Sequence, residues 1–202
     1  MLQSLTACGA QVTRRIVCCP VLIAVLLVAT QGKLGRLQAE EAAAGAAGYA
    51  QDVDLGFGTL LGKEQDRIWV GIGAFNVKPN NAAGRSADFV GEYHFGGKFY
   101  TIGPLLGLSV NTDGGVYGYG GIYTSLALGE VLLTPFFTVG GYAQNDSKDL
   151  GSVVQFQSGI EGAYGFDYGG RLGVRFSHIS NGGLKDKNPG AEILLLSYSH
   201  PM

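Results

Sequence analysis

From residue 66 onward, apolar side chains recur at every second position, and glycine or turn residues interrupt the pattern every ten to fifteen residues. Alternation with period two is the signature of strands with one apolar face, because successive side chains of a strand point to opposite sides. The pattern predicts eight strands, over roughly 66–76, 86–95, 98–110, 115–128, 130–143, 152–166, 169–180 and 190–200. Each is long enough for the roughly 9–11 residues a tilted strand needs to cross a bilayer. The 202 residues are 46% hydrophobic, yet no run of about 20 apolar residues is available for a spanning helix. An even number of long strands fits an antiparallel up-and-down transmembrane β-barrel, for which eight is the smallest size.

Composition supports a membrane barrel over a water-soluble one. Only 15% of residues are charged and 34 are glycine, against averages of about 25% charged and about 7% glycine. A soluble lipid-carrying barrel, the main structural alternative, would turn its apolar face inward and need a charged exterior. Here the polar face is mostly Gly, Ser, Thr, Gln and Tyr, which suits a narrow lumen filled by small and hydrogen-bonded side chains. Two isolated charges on that face, Glu161 and Arg175, are expected to pair inside it. His94 is expected to face the lumen, and His200 ends the last strand.

The first fifty residues differ from the rest. Arg14 and Arg15 precede an apolar run from Ile16 to Ala29, and small residues follow from Ala42 to Ala50. That order reads as an export signal with a small-residue leader over 1–50, with Gly48-Tyr49-Ala50 as one candidate cleavage region. A single anchoring helix is the alternative, and about 14 apolar residues is short for one. Cys8, Cys18 and Cys19 all fall in this leader, so the barrel domain, 51–202, is expected to use no disulfide, thiolate metal site or cysteine nucleophile. From Gln51 onward 10 Lys plus Arg face 14 Asp plus Glu, which offers no basic patch for nucleic acid. The three histidines have no metal-ligand spacing, and neither a metal nor a cofactor is expected. The sequence leaves a homodimer open.

Connections set the orientation. Gly96-Gly97, Gly129-Glu130 and Asp167 to Gly170 are expected as tight turns at one end. Lys78 to Gly84, Thr112 to Gly114, Asn145 to Gly151 and Gly182 to Pro189 lie at the other end, three of them longer and polar. Barrels of this type place short turns in the periplasm and long loops outside. The last loop therefore belongs to the cell exterior.

At that end the apolar face breaks its own rule. Leu172, Val174 and Phe176 set the lipid-facing parity of the seventh strand, and His178 and Ser180 continue it. In the eighth strand Leu194, Leu196 and Tyr198 share parity with Glu192. If Leu172 pairs near Tyr198, His178 lies opposite Glu192. A serine hydroxyl becomes a nucleophile when an imidazole accepts its proton, and a carboxylate fixes the imidazole tautomer. Asn181, Gly183 and Asn188 follow in the loop, where amide donors could meet a tetrahedral oxyanion. Headgroup contact by single polar residues at a barrel rim is the plainer alternative, since such positions cost only about 0–1 kcal/mol.

The run Phe176-Ser-His-Ile-Ser-Asn-Gly-Gly-Leu-Lys-Asp-Lys-Asn-Pro-Gly-Ala-Glu192 resembles the active-site hairpin of the lipid A 3-O-deacylases, the PagL-type outer-membrane acyloxyacyl hydrolases of Gram-negative bacteria. The resemblance rests on His-X-Ser-Asn followed by Glu fourteen residues after the His. It implies an eight-stranded outer-membrane barrel with Ser180 as nucleophile, His178 as general base and Glu192 as its orienting acid. It further implies an oxyanion site at Asn181, Gly183 and Asn188, and lipid A of lipopolysaccharide in the outer leaflet as substrate. The C-terminus, Tyr198-Ser-His-Pro-Met202, departs from the terminal aromatic common in outer-membrane barrels.

Overall fold

The computed structural model describes residues 51–77 and 84–202. The leader, its cysteines and cleavage candidate, and most of the loop expected at Lys78 to Gly84 lie outside those residues. The described strands are β1 (Val53–Asp54), β2 (Thr59–Leu60), β3 (Arg67–Phe75), β4 (Ser86–His94), β5 (Gly103–Asn111), β6 (Val116–Tyr123), β7 (Leu126–Leu128), β8 (Val131–Ala143), β9 (Val154–Gly165), β10 (Arg171–Ser180) and β11 (Ala191–Pro201).

Eight of these close into an antiparallel barrel. Sequential neighbours β3, β4, β5, β6, β8, β9, β10 and β11 pair in turn, and β11 returns to β3 from Ile193↔Phe75 to Pro201↔Arg67. Closure leaves no unpaired edge among them, which is what a bilayer requires of β-structure. The eight expected strands are the eight observed ones, with boundaries shifted at two places. The third starts at Gly103, because Phe99 and Ile102 close a tight turn with Tyr100 at φ 55°. The fourth breaks at Thr124 and Ser125, leaving β7 as a separate piece on β8.

A short hairpin, β1 with β2, was not legible in the alternation. It extends the sheet by pairing β2 with β7 beyond the barrel wall, at the end carrying the tight turns. From there residues 61–66 cross that end of the barrel. Glu64 is buried between Lys98 and Arg171, and the Arg171 Nη2–Oε1 distance is 2.6 Å. Burial alone would raise the Glu64 carboxyl, but the two cations outweigh it and hold the group at about 2, from an ordinary 4.5.

The apolar face points outward. Ile72, Leu106, Val174 and Leu196 are each more than half exposed, while Gln155, Thr138 and Arg175 are buried inside. This is opposite to a soluble carrier, and it disposes of that alternative. Inside, Arg175 lies between Glu92 (2.6 Å) and Glu161 (3.1 Å), and its guanidinium covers Trp69 at 3.5 Å. Tyr119 donates to Glu92 at 2.6 Å, and Trp69 and Ser197 donate to Glu161 at 2.7 and 2.9 Å. Buried charges are tolerated only when paired and hydrogen-bonded. The expected Glu161–Arg175 pair is thus present, with Glu92 as a third member. His94 faces the lumen as expected, bonded to Glu92 at 2.6 Å.

Candidate active site

The site lies at the end of the barrel opposite the tight turns, on the outer surface of β10 and β11. The register is the expected one: Leu172 pairs with Tyr198, Phe176 with Leu194 and His178 with Glu192. Fixed pairing and two-residue periodicity bring the two polar side chains together on the lipid face. His178 Nδ1 lies 3.2 Å from Glu192 Oε1, with side chains 45% and 19% exposed. A carboxylate on Nδ1 selects the tautomer that leaves Nε2 with its lone pair.

Ser180 is the next outward residue of β10, and its cross-strand neighbour is Phe156 of β9. It shares the face with His178 but is not hydrogen-bonded to the ring among the described residues. Long nucleophile–base distances are common before substrate binds. The imidazole is held from the loop side by Gly190, which is buried and at φ +56°. A Cβ there would lie 2.6 Å from His178 Cε1 and 3.0 Å from Nε2. Only glycine leaves the ring its place.

The loop between β10 and β11 is knotted around Asn181, which is fully buried. Its Nδ2 donates to Leu150 O at 3.1 Å and to Lys187 O at 2.7 Å, tying the loop to the neighbouring one between β8 and β9. Its Oδ1 accepts Gly183 N–H at 2.9 Å, and its own N–H donates to Asn188 Oδ1 at 3.0 Å. An exposed ion pair, Lys187 with Asp149 at 2.5 Å, joins the same two loops. The Asn181 amide and the Gly183 N–H are therefore committed to contacts within these two loops. Asn188 is exposed and its oxygen accepts from Asn181, which leaves its Nδ2 without a hydrogen bond among the described residues.

The sequence reading passed over Ser158. It shares the lipid-facing parity of Phe156 and Ile160 on β9 and is the cross-strand partner of His178. Parity alone was the signal that would have found it. No three His, Cys, Asp or Glu side chains gather as metal ligands among the described residues.

Comparison with known proteins adds four findings. The family model for lipid A 3-O-deacylase (PagL) matches residues 87–201, more than half the chain, a span that includes His178, Ser180, Glu192 and the loop between β10 and β11. The lipid A deacylase PagL of Bordetella bronchiseptica is 40% identical over 53 residues, which is 26% of this chain and 30% of that protein. The crystal structure of the outer membrane enzyme PagL superposes with TM-score 0.51 and 17% identity, over 67% of this chain and 99% of that one. A de novo designed transmembrane β-barrel superposes as well, at TM-score 0.51 and 12% identity over 69% of this chain and 99% of that one. The structural likeness is thus one of architecture, and it is the family match that separates this barrel from a designed one. The chain belongs to the lipid A 3-O-deacylase (PagL) family.

Proposed function

We propose that this outer-membrane barrel is a serine esterase that removes the 3-O-linked acyl chain of lipid A, with Ser180, His178 and Glu192 as its triad. The observation that carries the reading is the His178–Glu192 contact on the lipid-facing surface, two residues along β10 from Ser180 and inside the segment that matches the family. Polar side chains are disfavoured where a barrel meets hydrocarbon, so three together at one spot call for a purpose beyond folding.

Location supplies the substrate. Lipid A stands in the outer leaflet, so a serine on the barrel's outer wall near the exterior rim meets the ester without lifting the lipid from the membrane. Glu192 holds His178 so that Nε2 accepts the proton of Ser180 Oγ. Oγ attacks the ester carbonyl, and the bond to the sugar oxygen breaks as His178 returns the proton to that oxygen. The acyl chain is then on Ser180. Water, deprotonated by the same imidazole, attacks the acyl-enzyme; the free fatty acid leaves and Ser180 recovers its proton. Asn188 Nδ2 is the donor we assign to the oxyanion, while Asn181 and Gly183 hold the loop that presents it. Phe176, Leu194 and Leu196, which line the wall below the site, receive the acyl tail. The reaction as written needs no cofactor.

The test is release of free fatty acid from lipid A in detergent micelles by the purified barrel. Wild type should release it and Ser180→Ala should not. Equal, negligible release by both would instead favour a non-catalytic structural or adhesion barrel whose rim residues touch headgroups.

A further inference from the structure

At the outward positions of the eight barrel strands every side chain is glycine, alanine, proline, aliphatic or aromatic, with five exceptions. His200 is one, at the rim that carries the tight turns. The other four are Glu192, His178, Ser180 and Ser158, and they are contiguous. Glu192, His178 and Ser158 occupy one rung across β11, β10 and β9, with Ser180 the next outward residue above His178. Ser158 is the member that the triad does not use.

Its surroundings make a structural role hard to sustain. Phe137 follows it on the same rung, and Phe156 and Ile160 flank it along β9. Phe137 and Phe156 stack at 6.2 Å. Among the described residues the Ser158 hydroxyl has no side-chain hydrogen bond, and it faces the membrane side of the wall. Near the rim a lone lipid-facing hydroxyl costs only about 0–1 kcal/mol, but it contributes nothing to the fold, so folding alone gives no reason for a serine here.

The geometry of the rung says what meets it. Glu192 occupies the β11 side of the imidazole, and Gly190 packs against Cε1 and Nε2 from the loop. The remaining neighbour of His178 on the rung is Ser158, on the β9 side. An ester that reaches both Ser180 and His178 from that side passes over Ser158. We propose that Ser158 is a substrate-positioning residue whose hydroxyl hydrogen-bonds a polar oxygen of the bound acyl ester on the β9 side of His178. This inference rests on the esterase reading above. It adds that the ester lies across β9 and β10, with Phe137 and Phe156 as its flanking wall.

The experiment measures steady-state hydrolysis of lipid A by wild type, Ser158→Ala and Ser158→Thr, together with the rate at which a fluorophosphonate labels Ser180. Loss of one neutral hydrogen bond should lower kcat/KM of Ser158→Ala by about tenfold. Ser158→Thr, which keeps the hydroxyl, should recover most of it. Labelling should proceed at the wild-type rate in both variants, because the small probe does not need the ester held. An unchanged kcat/KM in Ser158→Ala overturns the proposal, as does a fall in labelling that matches the fall in hydrolysis, which would mean the Ser180–His178 pair itself was disturbed. An inactive wild type would refute the esterase reading, so the two failures are distinguishable.

Discussion

Replacing Gly190 by alanine isolates the placement of the imidazole from everything else in the site. The added Cβ would lie 2.6 Å from His178 Cε1, 3.0 Å from Nε2 and 3.2 Å from Ile179 O. Real carbon contacts need roughly 3.5–4.0 Å, so the ring must move by about 1 Å or turn away. Ile179 O belongs to the β10 backbone and cannot yield, which leaves the ring as the part that gives. Turning it draws Nδ1 from Glu192, to which it is held by a single 3.2 Å contact. A misplacement of that size costs on the order of a hundredfold in rate. The backbone adds a separate penalty, since φ +56° is left-handed and a Cβ there costs about 1–2 kcal/mol. Gly129→Ala is the control: Gly129 also has positive φ, at 66°, but nothing lies within 4 Å of its would-be Cβ. Gly190→Ala should lose about a hundredfold in kcat on lipid A and keep the heat-modifiable gel mobility of a folded barrel, while Gly129→Ala keeps its activity. Activity of Gly190→Ala within threefold of wild type would refute the placement of His178.

Three further outcomes follow from the same structure. Arg175→Met removes the cation shared by Glu92 and Glu161 and leaves two buried carboxylates without it; urea unfolding in micelles should show a loss of about 3–5 kcal/mol. Glu64 is held at about 2, below its ordinary value, so its contribution is full above pH 4.5 and is lost as pH falls toward 2. That contribution is on the order of 3 kcal/mol, and a Glu64→Gln barrel should show a correspondingly flatter loss of stability between pH 4.5 and 2. Asn181→Ala removes the side-chain bonds to Leu150 O, Lys187 O and Gly183 N; deacylation should fall at least tenfold, and limited proteolysis should cut the loop between β10 and β11 faster than in wild type.

Most of the barrel was legible because a membrane strand writes its environment into every second residue. Leu172, Val174 and Phe176 set a parity, and that parity, once Leu172 was set opposite Tyr198, carried His178 to Glu192 across the hairpin in the observed register. What alternation could not show has physical reasons. Strands β1 and β2 are two residues each, too short for a period to register, and they are held by pairing to β7. At the break Thr124 N–H still reaches Pro135 O at 3.2 Å, but Pro135 has no N–H with which to return the bond. Glu92 joins Arg175 and Glu161 across the lumen from a different strand, a contact between 83 residues of separation that local pattern does not encode. In the loop, the sequence offered Asn181, Gly183 and Asn188 as equivalent donors. The fold distinguishes them, because the Asn181 amide is used up by backbone carbonyls of two loops. Ser158 was legible and passed over, since a serine among Phe156 and Ile160 reads as an interruption until its rung is known.

The central claim is that the polar patch on the lipid face cuts one particular ester. Mass spectrometry of lipid A from Gram-negative outer membranes, with and without the expressed wild-type protein, tests it most directly, with Ser180→Ala expressed in parallel. Wild type should yield a lipid A lighter by the single acyl chain at the 3-position, and Ser180→Ala should not. Lipid A of unchanged mass in the presence of a folded wild-type barrel would contradict it, and so would the same loss from the Ser180→Ala protein.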